Sequence, residues 1–381
     1  MTSWTLECSA CGALTAGSQR ASVCTACGQP YLVRHDRFPA AGASLPERWD
    51  MWRYAPMLPL REGEEPVSLG EGCTPLIELP ALSADLGVRR LWVKDEGLNP
   101  TGSFKARGMS AAVTRARALD VPGLVVPTAG NAGAALAAYG AAAHLPVRVY
   151  APDTTPSGIL ATITALGAEL CLVAGHIGDA GAAARAFANE SGYFDVSTLR
   201  EPYRIEGKKT MGAELAEQLG WRLPDAIIYP TGGGTGLIGM WKVFGELAGA
   251  GWIDASARPP RMITAQAAGC APIVRAFEAG ADRATAWPDP TTHASGLRVP
   301  SPLGDRLILR ALRESGGDAV AIGEEEIREN TRALALASGI DACPEGGCAL
   351  GVLRVLVERG RVGNDDEVVI FNTGSGAGYR A

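Results

Sequence analysis

The sequence contains no basic block, no long apolar run and few histidines or aromatic side chains. Lys and Arg number 35 against 41 Asp and Glu, a formal net charge of -6. Without a basic patch the chain is a poor nucleic-acid binder, and a small-molecule partner is expected. No apolar run is long enough to span a bilayer, so no membrane partner is expected. Residues 1–11 lack the charged-then-apolar order of a secretory signal, so a cytoplasmic location is expected. The four histidines, His35, His144, His176 and His293, show no ligand spacing, which argues against a metal-dependent hydrolase. Nine cysteines, an odd and mostly scattered set, argue against a disulfide framework. No internal repeat and no low-complexity segment interrupts the chain.

Hydrophobic residues make up 47% of the 381 positions, enough for a large core, and the length suggests two or three structural units. With aromatics at 6% and 48 glycines, helices are expected to pack closely on sheets, joined by tight backbone loops. Apolar, β-rich runs at 91–94, 124–127, 147–151, 170–173, 226–229, 262–266 and 368–371 predict strands. Helix-period stretches at 109–118, 131–144, 156–166, 178–189, 210–219, 237–248, 324–337 and 348–358 alternate with them. The alternation predicts an α/β protein with mainly parallel sheets, in which ligands bind at the C-terminal ends of strands.

Residues 1–35 form a segment of their own. Cys8-Ser9-Ala10-Cys11-Gly12 and Cys24-Thr25-Ala26-Cys27-Gly28 are two C-x-x-C knuckles, each with Gly directly after the second Cys. Such knuckles turn two thiolates toward one metal, and a pair completes a tetrahedral zinc site. Four thiolates leave no open position, so zinc at Cys8, Cys11, Cys24 and Cys27 would be structural. A segment this short would need the metal to hold its fold.

Four loops lie where a strand gives way to a helix or ends. In Asn99-Pro100-Thr101-Gly102-Ser103-Phe104-Lys105-Ala106-Arg107-Gly108-Met109, a lysine stands at a helix start. Partial desolvation there would lower its pKa and suit Schiff-base chemistry; the ordinary alternative is a solvated surface lysine. Pro127-Thr128-Ala129-Gly130-Asn131-Ala132-Gly133 offers Thr128 and Asn131 as ligand-binding groups, with Asn131 equally readable as a helix cap. Pro230-Thr231-Gly232-Gly233-Gly234-Thr235-Gly236 is a row of bare N–H groups at a helix start, which reads as a phosphate cup. No Gly-Lys-Ser/Thr follows, so it is not a Walker loop. Asn372-Thr373-Gly374-Ser375-Gly376 supplies hydroxyls with little bulk after the last strand.

Taken in this order, the four loops resemble those of fold type II, tryptophan-synthase-β-like enzymes that depend on pyridoxal 5'-phosphate (PLP). Within that group the chain resembles the threonine synthases. The Cys-rich segment, Gly72-Cys73-Thr74-Pro75-Leu76, Glu206-Gly207-Lys208-Lys209-Thr210 and Met109 add to the likeness. The resemblance implies two doubly wound α/β domains behind the zinc-ribbon-like segment 1–35. The large PLP-binding domain would comprise 36–108 and 205–381, and the small mobile one 109–204. It implies a lyase in which Lys105 bonds PLP as a Schiff base and then acts as general base and acid. Asn131 would hold the ring hydroxyl, Gly232, Gly233, Gly234 and Thr235 the phosphate, and Thr373 the pyridine nitrogen. Ser103, Arg107, Thr128 and Ala129 would lie on the substrate side. The implied reaction takes O-phosphohomoserine and water to threonine and phosphate, in a homodimer.

Two positions depart from the threonine-synthase pattern. Ala106 stands where Asp usually follows the lysine, and Ala129 removes one of two usual hydroxyls. Both bear on substrate rather than cofactor. The alternative they favour is a serine/threonine ammonia-lyase or another β-eliminating or β-replacing relative. It would be the short catabolic kind, since only ten residues follow 371 and leave no room for an effector domain. A threonine synthase needs a second anion pocket, for which Lys94, Arg107, Lys208 and Lys209 are candidate cations. A non-catalytic PLP-binding regulator is a third reading, which the intact Lys105 opposes.

Overall fold

A computed structural model of the chain describes residues 3–380. In chain order the elements are β1 (Trp4–Cys8), β2 (Leu14–Ala16), β3 (Tyr31–His35), β4 (Leu76–Glu78), α1 (Pro80–Leu86), β5 (Arg90–Asp95), α2 (Lys105–Ala118), β6 (Leu124–Pro127), α3 (Asn131–Ala142), β7 (Val147–Pro152), α4 (Ser157–Ala165) and β8 (Glu169–Val173). There follow α5 (Ile177–Ser191), β9 (Phe194–Asp195), α6 (Tyr203–Gln218), β10 (Ala226–Pro230), α7 (Thr235–Gly249), β11 (Arg261–Ala267), α8 (Pro272–Glu278), α9 (Asp305–Glu314), β12 (Asp318–Ile322), α10 (Glu324–Ser338), α11 (Pro344–Glu358) and β13 (Glu367–Asn372). The architecture is α/β, as expected. Among the described residues no helix is long and apolar enough to cross a membrane.

The chain divides into two units. The first holds the residues up to Cys73 and Asn99–Thr210; the second holds Thr74–Leu98 and Met211–Arg380. The division falls inside α6, after Thr210.

The first unit carries two sheets. One is parallel, in the order β8-β7-β6-β9. Its inner residues Leu124, Val126, Val147 and Val149 pack with Ala134, Ala135 and Ala138 of α3 and with Ala112 and Val113 of α2. Alanines on these helices let backbone approach sheet, which is why so few aromatics suffice. The other sheet is the antiparallel ribbon β2-β1-β3. It is tied to the ends of two helices: Arg20 donates to the Asp120 carbonyl just past α2 (2.5 Å), and Tyr203, opening α6, donates to the Gly17 carbonyl (3.1 Å).

The second unit is built on a six-stranded sheet, β12-β11-β10-β13-β5-β4, parallel except for β4, which runs against β5. β10 and β13 are buried along their whole length, as strands covered on both faces must be. Ile228, Ala265, Val368 and Ile370 pack against Leu350, Leu353 and Leu356 of α11.

Candidate active site

The parallel sheets place three of the four loops at the C-terminal ends of strands. The Thr128–Asn131 loop leaves β6, the glycine-rich loop leaves β10, and the Thr373 loop leaves β13. Because β10 and β13 are neighbours, the last two loops start side by side in the second unit.

In the first unit, Lys105 is the first residue of α2, following a turn in which Thr101 and Gly102 both adopt positive φ. Its Nζ stands 3.9 Å from the centroid of the Phe104 ring. Ser103 is fully buried and its hydroxyl has no hydrogen-bond partner among the described residues. A buried orphaned hydroxyl beside a half-buried lysine is a group that a polar ligand would satisfy. Asn131 opens α3, but Gly130 holds the capping position, so the Asn131 side chain is not consumed as a cap. Thr128 is turned inward: its hydroxyl accepts from Gly130 N (3.0 Å) and donates to Gly130 O (2.8 Å). It shapes the half-buried Ala129–Gly130 turn that precedes the helix.

The second unit supplies the cup. Gly234 caps α7 with φ 73°, and Thr235 is the first helical residue. A Cβ on Gly232 would lie 2.2 Å from the Gly296 carbonyl oxygen, and one on Gly234 would lie 2.3 Å from Ile308 Cδ1. Only glycine lets this backbone lie so close to what is behind it, leaving N–H groups at the positive end of a 15-residue helix. Gln266, buried in β11, fixes the loop by donating to the Thr231 carbonyl (2.9 Å). The Thr373 loop is held by Asn372, which donates to Asp95 Oδ1 (2.8 Å) and the Gly374 carbonyl (2.9 Å) and accepts from Cys343 N (3.0 Å). Burial pushes the Asp95 carboxyl up, against the Asn372 bond. Thr373 itself is buried. In the second unit the bare N–H groups could hold a phosphate and the buried Thr373 hydroxyl could meet a ring nitrogen; in the first unit Asn131 and Lys105 stand at helix starts, where an amide and an amine could meet a polar ligand.

The four candidate cations separate clearly. Lys94 is buried against Glu214 (2.5 Å), the Thr74 carbonyl (2.7 Å) and Gln218 (2.8 Å). Lys209 is buried between Glu206 (2.7 Å) and His35 (3.1 Å). Arg107, also buried, donates to the Thr210 hydroxyl (3.1 Å). Lys208 is fully buried, yet its amine has no hydrogen-bond partner among the described residues. Burial holds its pKa well below the ordinary lysine value, and the charges of Arg204 and Lys105 push it the same way.

The four ribbon cysteines are brought together, with their Sγ atoms all within 4.8 Å of one another. Cys8–Cys27 and Cys11–Cys24 stand at 3.4 and 3.6 Å. A tetrahedron with 2.3 Å Zn–S bonds has edges of about 3.8 Å, so the set fits a zinc ion. Gly12 and Gly28, at φ 72° and 71°, close the two knuckles by donating back to the Cys8 and Cys24 carbonyls. Burial opposes ionisation of Cys24, but the N–H groups of Ala26 and Cys27 outweigh it and bring the thiol down to about 6.

Gln266 and Asp95 lie outside the four loops, and Asn372 was read only as part of its loop. A lone Gln inside the apolar run 262–266 was the one visible signal among them.

Comparison with known proteins shows the family. The family model for "Pyridoxal-phosphate dependent enzyme" matches residues 67–374. The threonine synthase of Methanosarcina acetivorans is 38% identical over 85% of this chain and 79% of its own length. That of Methanocaldococcus jannaschii is 37% identical over 86% and 80%. Among solved structures, a threonine deaminase from T.th. superposes with TM-score 0.66 at 27% identity, covering 79% of this chain and 92% of that one. Maize serine racemase superposes with TM-score 0.68 at 20% identity, over 80% and 88%, and shows the shared fold.

Proposed function

This chain belongs to the pyridoxal-phosphate dependent enzymes and is threonine-synthase-like, and from that premise we propose that it converts O-phosphohomoserine and water to threonine and phosphate. The observation that carries the proposal is Lys105 itself. It is a half-buried lysine at the first turn of α2, in the loop whose resemblance to the family implies that it bonds the cofactor.

Bound PLP would supply the electron sink for charge developing at the substrate's α-carbon. The rest falls to the chain. Lys105 would bond the cofactor and then, as a free amine on a four-carbon stem, move protons at two successive carbons. Asn131 would donate to the ring hydroxyl. The N–H groups of Gly232, Gly233, Gly234 and Thr235 would hold the phosphate. Thr373 Oγ1 would meet the pyridine nitrogen as a neutral partner. The Thr128–Ala129 turn and Ser103 would receive the substrate, with Arg107 behind them. Zinc at Cys8, Cys11, Cys24 and Cys27 would brace the ribbon. The same resemblance suggests a cytoplasmic homodimer.

A second reading, a serine/threonine ammonia-lyase, is favoured by the internal pairing of Lys94 and Lys209. That pairing removes two of the four cations available for a second anion. Incubating the purified protein separately with O-phosphohomoserine, L-threonine and L-serine, and measuring phosphate, threonine and 2-oxo acid, decides between them. Phosphate release with threonine formation supports the first reading. Release of 2-oxo acid alone, from serine or threonine, replaces it with the second.

A further inference from the structure

The second unit holds a cavity of about 290 Å³ beside α10, outside the candidate active site. Residues 341–344 form the wall that it shares with the Thr373 loop. The Asp341 carboxylate accepts from Ser375 Oγ (2.6 Å) and Ala377 N (2.9 Å) in that loop. The charge of the cavity is unlike that of the chain. Three guanidinium groups, those of Arg328, Arg332 and Arg380, line it against one carboxylate, Asp341, in a protein whose formal net charge is -6.

The acids nearby are already engaged. Asp341 takes Arg380 Nη1 (2.6 Å) on the oxygen that the loop leaves open. Glu324 accepts from the His293 backbone N–H (3.1 Å) and pairs with its ring Nδ1. The arginines of α10 are less well served. Arg328 has one partner among the described residues, Glu325, in an exposed pair at 3.2 Å. Arg332 makes neither a hydrogen bond nor an ion pair among the described residues. The two stand four apart on α10, so their like charges share one face and repel. An anion between them turns that repulsion into attraction. Guanidinium forks match the oxygens of carboxylate and phosphate groups. Ala335 and Pro344 add apolar surface for a short carbon skeleton. The volume lies at the lower end of small-molecule sites, which suits a metabolite smaller than a nucleotide.

We propose that this cavity is a second ligand site, taking a small dianion whose carboxylate or phosphate groups meet Arg328, Arg332 and Arg380. The inference is independent of which amino acid the active site turns over.

The test is calorimetric titration of the holoenzyme with succinate and, separately, with inorganic phosphate, at one ionic strength so that screening is constant. At least one of them should bind. Arg332→Gln and Arg328→Gln should each weaken that binding about tenfold, through loss of a charge-assisted contact. Both side chains are exposed, so the variants should fold. Arg359→Gln removes the same charge at an exposed position outside the cavity and should change nothing. Phosphate held at the active site survives in all three variants, so the difference between proteins isolates the cavity. Succinate binding in this way assigns a carboxylate ligand, and phosphate binding in this way a phosphate ligand. Binding of neither in the millimolar range, or binding equal in the wild type and both cavity variants, overturns the inference. A loss of the same size in Arg359→Gln overturns it too, since the effect would then be one of overall charge.

Discussion

Replacing Gly207 by alanine tests the helix crossing on which the lysine site is built. In an exposed helix interior, Gly→Ala stabilises by about 1 kcal/mol, because alanine has less backbone freedom to lose. At Gly207 the new methyl would meet the Arg107 carbonyl oxygen at 2.0 Å, its carbon at 2.7 Å and Ala111 Cβ at 3.0 Å. The first two are backbone and cannot rotate away. Restoring van der Waals distance requires α2 and α6 to part by more than about 1 Å, and overpacking of that kind costs about 1–3 kcal/mol or somewhat more. The clash therefore outweighs the propensity gain, and Gly207→Ala should lose about 2 kcal/mol net. Gly245, inside α7 with open space where its Cβ would go, is the control: Gly245→Ala should gain about 1 kcal/mol. Urea unfolding with unchanged slope reads both. A Gly207→Ala protein as stable as the wild type, or more so, would refute the close crossing.

Other outcomes follow from the same structure. Metal analysis should find one zinc per chain, and Cys24→Ser should lose it together with the thermal stability of the ribbon; full stability without metal would show the cluster to be inert. Burial raises Glu201 to about 7 from an unfolded value of 4.5. Its contribution is thus fully present below pH 4.5 and is lost as pH rises through about 7, a swing of about 3 kcal/mol. Glu201→Gln should flatten that part of the stability–pH curve, and an unchanged curve would count against a buried acid there. Lys94→Met strands Glu214 in the interior and should cost about 3–5 kcal/mol. Arg148→Met, which breaks the exposed pair with Glu169, should cost under about 1 kcal/mol.

Where apolar residues face inward the sequence was a good guide. All seven strands expected from apolar runs exist, with ends shifted by at most one residue. The knuckle glycines and the glycine-rich helix start were legible because their chemistry is local. The start of α6 was not. The expected helix begins at 210, whereas the structure begins it at Tyr203. The added turns carry Arg204, Glu206, Lys208 and Lys209, every one buried. Apolar periodicity cannot reveal a helix whose inward face is charged. In the same way α11 begins at Pro344 rather than 348, with the Cys343 thiol accepting from Gly346 N; a proline at a first helical position was the usable clue. β12 and α9 were missed outright. Asp318–Ile322 is short and follows two glycines, and Asp305–Glu314 falls in a stretch whose turn residues obscured its period. Lys208 was one of four equivalent cations in the sequence. Only the packing of α6 on α2 and the partners of the other three set it apart.

The identity of the cofactor lysine underlies everything proposed for the site. Reducing the holoenzyme with borohydride fixes the cofactor to whichever amine holds it, and peptide mass spectrometry then locates the adduct. A single pyridoxyl group on Lys105 is expected. Its recovery on Lys208, or on any other lysine, would contradict the assignment.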